Sequence, residues 1–318
     1  MRIGLDMMGG DYAPAEAVKG VRLFLDNAAP EVHLVLIGDE QALAPLISDA
    51  RLDQSRYTVV HSSQVIGMNE HPTKALKEKP QSSISIGFHL LQNKKVDAFI
   101  SAGNTGAMMV GAIYSIKLIP GVQRPTISTI LPREDGSNGL LLDVGINADC
   151  KPENLVQFAI LGSLYSQYIM GTATPRVGLL NIGEEEGKGN LLAQATYPLL
   201  KENALLNFIG NVEGRDIFKE TVDVIVCEGF TGNVVLKMAE SFHDVAVRRN
   251  IKDEYMDRFD HEQYGGTPVL GVAEPVIIGH GIARAEAFKN MIRTAQQMIE
   301  SKLMDKIRES FVEVAKEN

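Results

Sequence analysis

Two segments of this chain set glycine, amide and hydroxyl groups at the end of an apolar run. Val96-Asp97 leads through Ala98-Phe99-Ile100 into Ser101-Ala102-Gly103-Asn104-Thr105-Gly106. Val222-Asp223 leads through Val224-Ile225-Val226 into Cys227-Glu228-Gly229-Phe230-Thr231-Gly232-Asn233. Val, Asp, Gly, Thr and Gly recur at identical offsets, 126 residues apart. Each copy reads as a buried strand, a glycine-rich turn and a helix starting at Ala107 or Val234. Such a turn offers backbone N–H groups at the positive end of a helix, where a phosphate or an oxyanion binds. Phosphate chemistry is the first expectation, from a duplicated half-unit with two anion-competent loops.

Other groups join them. In Asn181-Ile182-Gly183-Glu184-Glu185-Glu186-Gly187-Lys188-Gly189-Asn190, one lysine stands between glycines just before a helical pattern. A cation there opposes the helix dipole but suits a bound phosphate, so Lys188 is read as functional rather than as part of a solvated charge run. Arg215, within Glu213-Gly214-Arg215-Asp216, either grips phosphate with its forked guanidinium or pairs with a neighbouring acid. His280, framed by glycines after Val276-Ile277-Ile278, either reaches a cleft or is a satisfied structural histidine. Asp143, Asn147 and Asp149 either supply acid–base chemistry or bind a metal, for which no third oxygen-ligand cluster stands out, or, for Asn147 and Asp149, cap a helix starting at Pro152. Gly9 and Gly10 after Asp6 permit close backbone approach, and Asp11 can cap the helix near Pro14. Cys227 could carry an acyl-enzyme bond, but no histidine stands beside it, which favours a structural thiol. Ser101–Gly106 is neither a Walker A loop nor a dinucleotide fingerprint. No metal and no organic cofactor are expected.

Groups of this kind need strands that end along one edge. Short apolar runs alternate with helical patterns from Ile3–Leu5 to Val276–Ile278, which predicts an α/β protein with helices on both faces of a mostly parallel sheet. Residues 127–144 differ: two β-rich runs flank Arg133–Gly139 and read as a hairpin, so the sheet is mixed. From Phe288 through Phe311 to Val314, apolar residues recur three or four apart and predict one long helix. Residues 240–266, rich in charge, read as a helical excursion from the sheet. No linker breaks residues 1–318, which read as a single domain.

Composition limits the function. With 45% apolar and 22% charged residues the chain is an ordinary globular protein. A net charge of −9 argues against nucleic-acid binding. Two cysteines without metal-type spacing suit a reducing cytoplasm. The first residues read as a strand rather than a signal peptide, and no apolar run is long enough for a membrane span.

In order, Asp6–Asp11, Ser101–Ala107, Asp143–Asp149, Leu180–Asn190, Gly210–Phe218, Glu228–Lys237, Tyr264–Gly271 and Val276–Gly281 resemble the phosphate acyltransferase (PlsX) family over nearly the whole chain. The resemblance implies a three-layer α/β/α sandwich like isopropylmalate dehydrogenase and phosphotransacetylase, with intertwined halves, functioning as a homodimer. It implies direct attack of inorganic phosphate on an acyl-acyl carrier protein thioester, the entry to bacterial phospholipid synthesis. The acyl-phosphate would pass to a membrane acyltransferase, and the enzyme would sit in the cytoplasm or peripherally at the inner face of the membrane. Lys188 and Asn233 are then the expected catalytic pair. Ser101, Gly103, Asn104 and Thr105 are expected to hold phosphate. Gly229, Thr231 and Gly232 serve the oxyanion and thioester, and Arg215 and His280 complete the binding set. Lys74, Lys77, Lys79, Arg248, Arg249 and Lys252 are candidates for docking the carrier protein. A CoA-dependent phosphotransacetylase, a metal-dependent dehydrogenase and a non-catalytic phospholigand sensor are the alternatives.

Overall fold

Strand and helix alternate along the chain because apolar runs of four to six residues are separated by amphipathic stretches. The order begins β1 (Arg2–Asp6), α1 (Ala15–Leu25), β2 (His33–Gly38), α2 (Glu40–Asp49), β3 (Tyr57–His61), α3 (Pro72–Glu78), α4 (Ser83–Gln92), β4 (Ala98–Ser101) and α5 (Thr105–Gly111). A π-helical turn over Ala112–Ile116 extends α5. Next come β5 (Thr126–Pro132), β6 (Asn138–Leu142), α6 (Pro152–Tyr168), β7 (Arg176–Asn181), α7 (Leu191–Glu202), β8 (Asn207–Glu213), β9 (Val224–Val226) and α8 (Gly229–Arg248). The order closes with α9 (Glu254–Asp257), β10 (Gly266–Leu270), β11 (Val276–Gly279), α10 (Ala285–Glu300) and α11 (Leu303–Glu317). The computed structural model describes residues 1–29 and 31–317, and their side chains except those of residues 261 and 313–317. The Val314 side chain of the expected apolar stripe lies outside the described residues.

The chain divides into two units. Residues 1–118 and 261–304 form the first, residues 119–260 and 305–318 the second. In the first, strands run in the order β3-β2-β1-β4-β11-β10; all pair in parallel except β10, which runs antiparallel to β11. Strand alternation covers both faces. Phe99 packs edge-on against Phe88 of α4, with ring centroids 5.1 Å apart. Ile100 is the register partner of Ile277, and a Cβ on Gly266 would meet Ile277 and Met291 of α10 together, which places those residues on the other face.

In the second unit the order is β5-β6-β9-β7-β8, parallel except for the β5–β6 hairpin. Here a Cβ on Gly162 of α6 would press on Leu142 and Val224. Their strand neighbours Leu141 and Ile225 instead join Ala239 of α8 in a buried cluster. Each sheet is thus sandwiched between helices.

The repeated Val-Asp pair has a shared physical role. Asp97 accepts the N–H of Arg2 at 2.7 Å, and its own N–H returns to the Arg2 carbonyl. Asp223 does the same with Arg176: 2.8 Å to the carboxylate, with the return bond to the Arg176 carbonyl. In both copies the aspartate fixes the register of the parallel strand beside it. Asp223 also binds the Arg176 and Arg133 guanidinium groups, Arg133 being buried.

Three expectations are revised. The long C-terminal helix is two helices, broken at Lys302, whose φ of 55° ends α10. Gly266 opens a strand, Gly266–Leu270, rather than closing the charged excursion. The charged stretch 240–260 is tied to the second unit's core by Phe259, which meets Phe218, Phe242 and Tyr255 edge-on, while Phe218 and Phe242 meet at a tilt. Among the described residues, no helix is long and apolar enough to cross a membrane.

Candidate active site

The candidate catalytic and phosphate-binding groups follow the carboxyl ends of parallel strands, the usual ligand edge of an open α/β sheet. In the first unit three such ends converge. Asp6, closing β1, is fully buried; it accepts the Ser101 hydroxyl at 2.7 Å and the Met8 N–H at 2.9 Å. Burial pushes its carboxyl above the ordinary range, against the opposing pull of hydrogen bonds from Ser101, Ser83 and the loop N–H groups. A Cβ on Gly9 would stand 2.5 Å from the Asp6 carboxylate and 2.6 Å from the Gly103 nitrogen, so the two loops cross in contact and glycine is required. The β11 turn closes the group, with the Gly281 carbonyl accepting the Asp11 N–H at 2.7 Å. His280 is exposed at this turn, beyond the register pair Ile278–Ser101. Asp11 does not cap α1, whose N-cap is Pro14 without a side-chain bond.

The expected phosphate holders in this loop are mostly committed to the protein itself. Ser101 and Asn104 are buried. The Ser101 hydroxyl gives its proton to Asp6 and accepts the Gly103 N–H at 2.9 Å. Asn104 caps α5 through the Ala107 N–H, and its amide donates to the carbonyls of Gly67, Met68 and Glu70 at 2.9–3.1 Å. Ser101, Gly103 and Asn104 therefore shape the loop. Thr105, exposed at the first position of α5, is the hydroxyl it turns toward solvent. The 67–70 segment that Asn104 ties down is not legible in the sequence, because it has neither strand nor helix periodicity.

In the second unit Lys188 follows β7. The Asn181 amide donates to the Lys188 carbonyl at 3.1 Å, and the Lys188 N–H goes to Glu185. Gly189 turns the chain at φ 92°, where a Cβ would overlap Asn181. Asn190 then caps α7 through the Ala193 N–H. The Lys188 side chain is 51% exposed, its ammonium 4.0 Å from Glu185. Of the other two acids, Glu186 pairs with Lys201 at 2.9 Å and Glu184 lies 3.8 Å from Arg215. Arg215 is bound more tightly by Glu213, at 2.7 Å. Both partners are local acids, which a phosphate at Arg215 would have to displace. Among the described residues, Glu184, Glu213 and Asp216 bring their carboxylates within 4.8 Å of one another, with Arg215 and Lys219 balancing the charge.

Asn233 stands on α8 beside the loop after β6, its amide donating to the Val144 carbonyl at 3.1 Å. That loop is wound around the buried Asp143 carboxylate, which accepts the N–H groups of Gly145, Ile146 and Asn147 at 2.8–3.3 Å and the Asn147 amide at 2.7 Å. Gly145, at φ 143°, clears the Asn233 amide. Asn147 and Asp149 do not cap α6, whose N-cap is Lys151.

The second glycine loop is corrected most. Helix α8 starts at Gly229, not Val234. The Gly229 N–H donates to the Asn147 carbonyl at 2.7 Å, the Thr231 N–H to the Glu228 carboxylate at 2.8 Å, and the Gly232 N–H to the Glu228 carbonyl at 3.0 Å. The Thr231 hydroxyl also binds Glu228. Gly229, Thr231 and Gly232 thus spend these donors within the fold. Their glycines serve packing, since a Cβ on Gly232 would overlap the Asp143 carbonyl oxygen. Cys227 is buried against that same carbonyl, and burial raises its thiol well above the usual range. Cys150 is pushed up to about 11, first by burial and then by the Asp143 charge. Neither thiol is poised as a nucleophile at neutral pH.

Comparison with known proteins fits this architecture. The model of a family described as fatty acid synthesis protein matches residues 1–306. The phosphate acyltransferase of Dictyoglomus turgidum is 43% identical over 98% of each chain, and that of Heliobacterium modesticaldum 46% over 97% of each. The chain belongs to the phosphate acyltransferase family. Its members are acyltransferases, and this one is an enzyme of that class. Among solved structures, the EutD phosphotransacetylase from Staphylococcus aureus superposes with a TM-score of 0.63 at 17% identity, covering 93% of this chain and 94% of its own. A phosphotransacetylase from Streptococcus pyogenes gives 0.65 at 16%, covering 94% of each. At such identities the likeness shows the fold, a three-layer α/β/α arrangement with a mixed, mostly parallel sheet.

Proposed function

We propose that this family member forms acyl-phosphate from acyl-acyl carrier protein and inorganic phosphate, the first step toward phosphatidic acid. The observation that carries the reading is full-length similarity to phosphate acyltransferases. The state of the two thiols supports it, because a chain whose cysteines are held protonated suits an external nucleophile. A phosphate oxygen attacks the thioester carbonyl, the new C–O bond forms as the C–S bond breaks, and the phosphate proton ends on the carrier thiol. Such a reaction needs neutralisation of the dianion, donors for the tetrahedral oxyanion and alignment of the reactants. Lys188 takes the first role and the Asn233 amide the second, while Thr105 offers substrate its hydroxyl. His280 and Arg215 act at the margins. The enzyme works as a homodimer in the cytoplasm, and a membrane acyltransferase consumes its product.

Hexadecanoyl-carrier protein and phosphate, with hydroxylamine to trap acyl-phosphate as hydroxamate, test the reaction directly. No hydroxamate above the uncatalysed rate sinks the reading, and turnover confined to acyl-CoA replaces it with the phosphotransacetylase alternative. Lys188→Ala and Asn233→Ala each lower kcat by about 100-fold or more, the usual cost of one transition-state donor. Folded variants with wild-type rates remove these two residues from the mechanism.

A further inference from the structure

The first unit contains a cavity of about 720 Å³ that the assigned residues do not use. Its walls come from α3, α4 and the α5–π-turn segment, with Leu76, Ile86, Phe88, Val110, Gly111 and Tyr114 as the apolar part. This volume falls within the roughly 300–1,000 Å³ of ligand pockets. Its floor is held rigidly. Phe88 is fixed edge-on against Phe99, and a Cβ at position 111 would overlap the Phe88 ring, so glycine is what keeps the floor open. Ser85, a polar lining group, turns its hydroxyl to the Lys79 carbonyl and to Ser82, so it makes little polar demand on an occupant. Tyr114 is 75% exposed, carried outward by the π turn. Such turns in α-helices often mark functional sites.

The cavity lies along the helix that follows the loop after β4. Its wall residues Val110 to Ser115 belong to the helical segment that Thr105 begins. At its other end, Thr73 follows Pro72, whose ring lies so close to Gly106 that a Cβ there would overlap it. From Thr105 to Tyr114 the helix rises roughly 14 Å. An extended carbon chain covers about 1.2 Å per bond, from about 3.6 Å per three-bond residue, so some eleven methylenes span that length.

The geometry points to this cavity as the site of the substrate's fatty acyl tail, with the thioester end toward Thr105. The inference rests on the reading that the enzyme transfers an acyl group, and it adds where a long chain lies and what sets its length.

Two measurements test it. A hexadecanoyl-carrier protein with a diazirine near the chain terminus is photolysed on the wild-type enzyme, and the labelled peptide is identified by mass spectrometry. The ratio of kcat/KM for hexadecanoyl over butanoyl thioester is then compared between wild type, Tyr114→Asp and Val110→Phe. Tyr114→Asp places a carboxylate in the apolar path at an exposed position that the fold tolerates, and Val110→Phe fills the cavity. The inference expects label within residues 76–89 or 110–115 and a ratio at least tenfold lower in both variants. Label elsewhere, or ratios within twofold of wild type, overturns it. A change of molar mass by light scattering without a change of ratio also overturns it, in favour of a protein surface as the occupant. Label in the cavity without hydroxamate formation supports the acyl site and refutes the phosphate-attack reading instead, whereas hydroxamate with label elsewhere refutes only the cavity.

Discussion

In the loop after β4 the helix that follows is capped by a neutral amide, Asn104; in the loop after β9 it is capped by a carboxylate, Glu228. The residue at the Asn104 offset in the second copy is Phe230, already inside α8 and 67% exposed. The helix has moved two residues toward its strand while the Gly and Thr letters have stayed in place. The same letters therefore do different work. Thr105 opens its helix with an exposed hydroxyl, whereas Thr231 sits two residues further in and bonds back to Glu228. Glu228 also brings a negative charge to the positive end of a 20-residue helix, which satisfies the dipole from within and repels a second anion. A repeated pattern can preserve ancestry while one copy gives up the chemistry the pattern suggests.

Substitutions at matching offsets probe how far the copies have diverged. The largest difference is expected at the Val-Asp pair. Asp223→Asn leaves the buried Arg133 without a countercharge and costs about 3 kcal/mol, against about 1 kcal/mol for Asp97→Asn, which weakens one exposed backbone bond. Urea midpoints measure both, and equal losses would mean that the arginine pairing adds nothing. The pH dependence has a definite sign. Burial alone would raise the Asp223 carboxyl, but the bonds from Arg176 and Arg133 outweigh it and hold the pKa below 3.8. A group depressed in the folded state stabilises above its unfolded pKa, and that contribution is lost as pH falls below about 3.8 through the folded value. The acid limb should shrink in Asp223→Asn.

Next come the second glycines of each loop. Gly232→Ala drives a Cβ into the Asp143 backbone and is expected to cost close to 3 kcal/mol, whereas Gly106→Ala meets a proline ring that can shift and costs about 1 kcal/mol. Thermal midpoints rank the two, and a reversed order would show that the β6 loop yields more readily than α3. Smallest are the caps. Asn104→Ala loses the Ala107 bond and three carbonyl contacts, about 2 kcal/mol. Glu228→Gln keeps the cap geometry and loses only charge, about 0.5 kcal/mol, an effect that fades in high salt. If added salt leaves the Glu228→Gln difference unchanged, the dipole account of that cap is wrong.

Much of the scaffold was legible in the sequence because strand alternation and turn residues act locally. The hairpin around Arg133–Gly139 and the helix opening at Asn190 are examples. Long-range use of side chains was not legible. Ser101 and Asn104 have the residue types of a phosphate site, but Asp6, Gly67 and Glu70, far off in sequence, claim their hydrogen bonds. The break at Lys302 is not legible because apolar spacing continues across it, and only a left-handed backbone marks it. Lys188 stands out in the sequence because glycines beside a lone cation are a local signal.

The way the units exchange chain has a consequence for synthesis on the ribosome. The first unit is interrupted after residue 118 and resumes at residue 261. Strand β4 pairs with β11, which is the last of its strands to be made. Until Val276–Gly279 emerges, the fully buried run Ala98-Phe99-Ile100 presents an unpaired apolar edge, the kind of surface that recruits other chains. Nearly all of the second unit is translated during that wait. Chaperone demand should therefore peak in the interval between the two visits to the first unit, and a nascent chain stalled near residue 260 should be the form most prone to aggregate.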